Sequence, residues 1–216
     1  MLSKGNEIVT EQRSDEWFEM RKGRFTASQI SRLLGKETLA KTKQSIDAFA
    51  FEKAVETVYG VEEDTYTSID MERGTNLEPL AFNRFKDIKS FDFINVRESG
   101  FFTLGDHAGA SPDGIVSNNR NLEIKCPRRN KFYKIVANGI TEMDASYYAQ
   151  QQMQMLCSGT ESSYFFNYYL YEGLEYWHEL TVERDEKMCD LIQSRILMAT
   201  EIKLSYISKL DKNSQW

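Results

Sequence analysis

No stretch of the sequence approaches the roughly 18 consecutive apolar residues that a membrane-spanning helix needs. The first thirty residues are charged and lack the apolar core of a signal peptide. The protein is therefore expected to stay in the compartment where it is made, away from membranes. Cysteine is scarce too. Cys126, Cys157 and Cys189 are too few and too widely spaced for a structural zinc or an iron-sulfur cluster, and an odd number argues against a disulfide framework. A reducing cytoplasm fits. Positive charge is in deficit, with 27 Lys and Arg against 33 Asp and Glu and a formal net charge of -6. That excludes coating nucleic acid through bulk charge, but not an enzyme with a local basic channel. The two histidines, His107 and His178, have no metal-ligand spacing. Walker A, GxGxxG, GxSxG and HExxH patterns are all missing.

Hydrophobic residues make up 41% of the 216 positions and aromatics 12%, enough to close a sizeable core. Neither a composition shift nor a Gly/Ser/Pro-rich linker divides the chain, so residues 1–216 are read as one domain. Basic residues cluster at Arg21, Lys22 and Arg24 and again at Lys125, Arg128, Arg129, Lys131 and Lys134. Either cluster alone reads as solvated surface charge.

Ser14 followed by acids predicts a short capped helix ending at Gly23. A second helix is expected from Thr26 to Gly35, and a longer amphipathic one carries Ile46, Phe49, Ala50, Ala54 and Val58 before Gly60. Asn76 is read as the cap of a helix with Pro79 in its first turn. The period then changes to two. Phe93 to Val96, Phe101 to Leu104, Gly114 to Val116 and Leu122 to Cys126 read as strands, the last two joined by the polar turn Ser117 to Arg120. A helix from Asp144 to Cys157, strands at Tyr164 to Leu170 and Glu175 to Val182, and a long helix from Arg184 to Leu210 follow. This order predicts an α/β fold, a mixed central sheet flanked by helices.

The chemistry concentrates in Ser111-Pro-Asp-Gly114 and Leu122-Glu-Ile-Lys-Cys126. Strand alternation puts Glu123 and Lys125 on one face and Leu122, Ile124 and Cys126 on the other. The hairpin folds Asp113 back beside Glu123. Two converging carboxylates repel unless one is protonated or a cation lies between them. A hard divalent cation such as Mg²⁺ or Mn²⁺ suits all-oxygen ligands, and the Ile124 carbonyl is a further candidate ligand. Lys125, outside the metal shell, is placed to position a water and stabilise charge on a phosphoryl group. Glu78 is either an ordinary helix-start glutamate or a third metal ligand. Gln152, on the face expected to pack on the sheet, is either a satisfied core amide or a partner of the catalytic lysine and its water.

Together these residues resemble the phage lambda exonuclease family, the YqaJ-like viral recombinases of the PD-(D/E)xK (restriction-endonuclease-like) nuclease superfamily. The resemblance rests on Glu16-Trp-Phe-Glu-Met-Arg-Lys-Gly-Arg-Phe-Thr-Ala-Ser28, Gly74-Thr-Asn-Leu-Glu78, the two hairpin segments, Tyr148-Ala-Gln-Gln-Gln152 and Val182-Glu-Arg-Asp-Glu-Lys187. It implies metal ligation by Asp113 and Glu123, nucleophile positioning by Lys125, support from Glu78 and Gln152, and binding of a terminal 5′-phosphate of DNA by Arg21, Ser28 and Ser111. The activity it implies is a Mg²⁺-dependent 5′-to-3′ exonuclease. Such an enzyme digests one strand of linear double-stranded DNA to mononucleotides and leaves a 3′ single strand for recombination. The implied setting is phage or prophage recombination, with a single-strand annealing protein as partner and a ring-shaped homotrimer as the working form. The alternatives are a PD-(D/E)xK endonuclease of restriction or repair type and a noncatalytic DNA-end-binding protein. Segments 35–68 and 128–143 match the family poorly, which leaves their DNA and partner contacts unassigned.

Overall fold

In the computed structural model, which describes residues 2–35, 39–60 and 68–213, the two hairpin strands lie inside a five-stranded mixed sheet. Its strands are β3 (Val96–Glu98), β6 (Gly114–Val116), β7 (Arg120–Lys125), β8 (Ser162–Tyr171) and β9 (Leu174–Glu183), in spatial order 3-6-7-8-9. β6 and β7 pair antiparallel with Gly114 opposite Leu122. β7 and β8 run parallel, and β8 and β9 form a second hairpin. A parallel neighbour needs a crossover. Here α4 (Arg129–Asn138) and α5 (Ala145–Ser158) supply it. A second sheet of four strands contains β1 (Lys4–Ile8), β4 (Phe101–Leu104), β5 (Ala108–Ala110) and β2 (Phe25–Thr26), in the order 1-4-5-2.

Both faces of the larger sheet are covered. On one, Ala81 and Phe85 of α3 (Ile69–Ser90) pack on Leu122, Ile124, Tyr164 and Phe166, with the Phe85 and Phe166 rings edge to face at 5.1 Å. On the other lie Met155 of α5 and Ile135 of α4 against Phe165. A third cluster joins α2 (Leu39–Tyr59), α5 and α6 (Glu186–Asn213) to the small sheet through Phe49, Met153, Ile192 and Phe25. α1 (Asp15–Arg21) begins as its sequence predicts, the Ser14 hydroxyl accepting from Trp17 N.

Several expected elements are corrected. The segment from Thr26 is a 3-10 helix, Ala27–Leu33. α3 starts at Ile69, capped by Ser68, and runs through Pro79, which has no N–H to offer the Thr75 carbonyl one turn earlier. Reading Pro79 as a first-turn proline misplaced that start. Phe93 is no strand residue: its φ is 56° and its side chain is exposed. The short strands β1, β2 and β5 and helix α4 lack a long enough periodic run to stand out. β1 is polar, and α4 buries only Phe132 and Ile135. The basic cluster of residues 128–134 lies at the start of α4 and on it, with Arg128 paired to Asp70 and Lys131 to Asp144. Of the poorly matching stretch 35–68, residues 36–38 and 61–67 fall outside the described residues. Among the described residues no helix is long and apolar enough to cross a membrane.

Candidate active site

The antiparallel register of β6 and β7 carries Asp113 alongside Glu123, and the Asp113 N–H donates to the Leu122 carbonyl at 2.9 Å. Asp113 Oδ2 then accepts from Ile124 N at 2.6 Å, so the carboxylate is aimed by the strand it serves. Glu123 is 0% exposed. An unpaired buried charge costs several kcal/mol, more than the roughly 1.5–3 kcal/mol contributed by burying an apolar neighbour such as Leu122. It must have donors. On Oε1 these are the Lys125 amine and Gln150 Nε2 at 2.8 Å, and on Oε2 Gln154 Nε2 at 2.6 Å.

Lys125, with its side chain 24% exposed, faces outward from the same strand face, its amine 4.9 Å from the centre of the Tyr147 ring. Burial pushes this ammonium toward neutrality, but the charges of Glu123 and Asp113 outweigh it and hold Lys125 above its usual range. The amine is thus charged, a donor with no acceptor capacity. Asp113 goes the other way. Burial first, then the charges of Glu123 and Glu78, raise its carboxyl well above the usual carboxylate range.

Two clefts meet here. One, of about 530 Å³, is lined by Lys125, Cys126, Arg73, Arg128, Lys131 and the exposed Met71 among others. The other, of about 210 Å³, contains Asp113, Gln12 and Arg13. Glu78 and Ile124 line both. Lys125 thus opens to the larger cleft and Asp113 to the smaller, with Glu78 and Ile124 between them.

A divalent cation fits the donor set in part. The oxygens are hard, and an Asp113 carboxyl that burial and neighbouring negative charge drive toward protonation is what a cation would relieve. Glu123 Oε2, with one amide donor, keeps a lone-pair direction, while Oε1 carries two donors. Asp113, Glu123 and the Ile124 carbonyl are the residues that would hold it. Glu78 does not join them in a three-carboxylate cluster: among the described residues no group of three or more such side chains is close enough to hold an ion, and Glu78 Oε2 takes Arg13 at 2.7 Å. Nor does Glu78 lie in a first helical turn, because α3 begins nine residues earlier, at Ile69. Glu78 borders both clefts and adds negative charge near Asp113.

Of the two readings of Gln152, the structure shows the satisfied core amide. Its amide donates to the Glu183 carbonyl at 2.9 Å and accepts from Asp185 N at 2.8 Å, tying the end of β9 to the approach to α6. Gln150 and Gln154, one helical turn apart, share the face that meets β7, whereas Gln152 is about 200° around from either. In a helix written Gln150-Gln-Gln-Met-Gln154, composition alone cannot choose the phase.

The three residues assigned to a terminal phosphate converge. Arg21, at the end of α1, donates to Ser28 Oγ at 3.2 Å and stacks over Trp17, 4.1 Å from its ring centre. Trp17 Nε1 donates to Ser111 Oγ at 2.8 Å. Trp17, unassigned by its sequence position, thus links Arg21 to the segment that delivers Asp113. An aromatic four residues before an arginine on one helix face was the available signal. His107 is structural, its carbonyl accepting from Phe25 N at 2.8 Å.

The family model described as the YqaJ-like viral recombinase domain matches residues 16–161. No curated protein matches the chain. Among solved structures, the chain is similar to an alkaline exonuclease from Laribacter hongkongensis, at 27% identity and a TM-score of 0.77, covering 93% of this chain and 98% of that one. A structure of that exonuclease in complex with dAMP gives 26% identity over the same shares, also with a TM-score of 0.77. A phage-related exonuclease from Haemophilus somnus 129PT, at 12% identity, a TM-score of 0.67 and coverage of 89% and 98%, shares the fold.

Proposed function

Because this chain belongs to the YqaJ-like viral recombinase family, we propose that it is a nuclease of the lambda-exonuclease type that digests one strand of linear duplex DNA from a 5′-phosphorylated end. The observation that carries this reading is the placement of Asp113, Glu123 and Lys125 around one strand, with Ser111, two residues before Asp113, bonded to Trp17, over which Arg21 lies while donating to Ser28. The dAMP held by the Laribacter exonuclease is a deoxynucleoside monophosphate, the kind of product that stepwise digestion releases.

In this mechanism Arg21, with the Ser28 and Ser111 hydroxyls, holds the terminal phosphate by charge-assisted bonds. That sets the next phosphodiester over Lys125. A water attacks its phosphorus and gives up a proton to solvent, the P–O3′ bond breaks, and the departing O3′ takes a proton from solvent. The Lys125 ammonium donates to the phosphoryl oxygens, where negative charge grows, and orients the water. Gln150 and Gln154 keep Glu123 from turning, so the lysine keeps its direction. A Mg²⁺ ion, or Mn²⁺ in its place, held by Asp113, Glu123 and the Ile124 carbonyl, would supply Lewis-acid polarisation and a more acidic water. Two ions per site are part of this reading.

The product would be mononucleotides and a 3′ single strand suited to a single-strand annealing partner in phage or prophage recombination. A ring-shaped homotrimer would let a chain of net charge -6 stay on duplex that its overall field holds poorly. Its interfaces would be heterologous, closing at a fixed count. Light scattering at micromolar concentration should return three chain masses; one chain mass removes the ring.

Duplex of one sequence, offered linear or covalently closed, tests the activity. With Mg²⁺ the linear form should lose label placed at its 5′ end as mononucleotide while the closed circle persists. Cutting of the circle would instead indicate an endonuclease, and binding of ends without digestion a noncatalytic protein.

A further inference from the structure

Arg21 and Ser28 belong to different elements, the end of α1 and the 3-10 helix after β2, so their separation depends on the turn between them. The turn pivots on Gly23, at φ 68°, where a side chain would be strained and its Cβ would run into Thr57 Oγ1. Both backbone groups of Gly23 are held by side chains from distant helices. Its N–H donates to Glu56 Oε2 of α2 at 2.9 Å, and its carbonyl accepts from Lys203 Nζ of α6 at 2.7 Å. Glu56 is itself clamped, with Lys53 Nζ at 2.7 and 2.8 Å from its two oxygens. Lys203 Nζ also lies 3.4 Å from His107 Nδ1, and the carbonyl of that same histidine fixes Phe25 N just beyond the turn.

We infer that Lys203 and Glu56 are positioning residues of the end-recognition site, gripping the Gly23 turn from its two sides and so setting Arg21 and Ser28 at the spacing that admits a terminal phosphate. This rests on the reading of Arg21 and Ser28 as a 5′-phosphate site. Lys203 is 3% exposed, with the charges of Arg24 and Lys53, and opposing them that of Glu56, acting on it. Burial, then the charge of Arg24, lowers its ammonium to about 8. An amine in that setting is a poor choice for stability, since an apolar side chain of similar volume is often neutral or better there. Its placement on the Gly23 carbonyl accounts for an amine where packing alone would favour a methionine.

The test uses the full-length chain and duplexes that differ only in a 5′-phosphate or 5′-hydroxyl end. The kcat/KM ratio for the two ends is read on one preparation, so loss of folded protein scales both terms alike. Lys203→Met and Glu56→Leu are each expected to lower the phosphate preference by about tenfold or more, because a misplacement of roughly 1 Å can cost up to about a hundredfold. The loss should fall on KM for the phosphorylated end more than on kcat. If both variants keep the parent ratio while Arg21→Ala loses it, the inference fails and the phosphate reading stands. If the variants lose activity on both ends equally, the two residues serve the fold alone and the inference fails. If the parent shows no preference, both readings fall.

Discussion

Replacing Lys125 by alanine, Glu123 by glutamine or Asp113 by asparagine is expected to slow digestion of linear duplex by about a hundredfold or more in each case, as loss of one preorganised charge-stabilising group commonly does. The three variants should differ in stability. Asn is isosteric with the neutral acid toward which burial and neighbouring charge drive Asp113, so Asp113→Asn should retain the fold. Gln at position 123 brings an amide N–H₂ among donors that already point at both carboxylate oxygens. One of them then lacks an acceptor, a cost of about 1–3 kcal/mol. Gln154→Leu probes the same contact from the helix side and should slow digestion by a smaller factor. Circular dichroism melts separate loss of fold from loss of chemistry. Near-parental rates in any of the first three variants, or full activity in excess EDTA, would overturn this mechanism.

Arg21→Ala is expected to remove most of the preference for phosphorylated over hydroxyl ends. Hydrogen bonds to charged groups are worth roughly 1.5–3 kcal/mol, and each 1.36 kcal/mol is a factor of about ten in rate, so a loss of about 10- to 100-fold in the kcat/KM ratio follows. Placed 4.1 Å over the Trp17 ring and tied to Ser28, the guanidinium is a planar donor that would meet a phosphate in a fixed orientation. Lysine would keep the charge and lose the fork, so Arg21→Lys should recover only part of the preference. An Arg21→Ala enzyme that discriminates as well as the parent would place the phosphate elsewhere.

Much of the site is legible in local chemistry. A period of two puts Glu123 and Lys125 on one face of any strand that Leu122 to Cys126 forms, whatever surrounds it. Ser14 ahead of two acids caps a helix by its own hydroxyl. A polar turn between Val116 and Leu122 returns the chain and brings Asp113 beside Glu123. These are relations between neighbours in the chain, settled over a few ångströms, and they sufficed for the mixed α/β class and the pair of carboxylates with their lysine.

What local chemistry leaves open is phase and reach. Four glutamines in five positions of α5 are equivalent until the helix is laid on the sheet, and packing of Met153 and Met155 into two different cores rotates Gln150 and Gln154 toward Glu123 and Gln152 away. Glu78 is read differently once α3 is capped by Ser68, because Pro79, a residue that local chemistry assigns to a first turn, is held inside the helix at the loss of one hydrogen bond. The grip of Glu56 and Lys203 on Gly23 spans up to 180 residues. No spacing rule reaches that far. The residues able to do the chemistry follow from backbone periodicity, whereas the donors that hold them in place come from burial of distant apolar faces, which only the assembled tertiary structure decides.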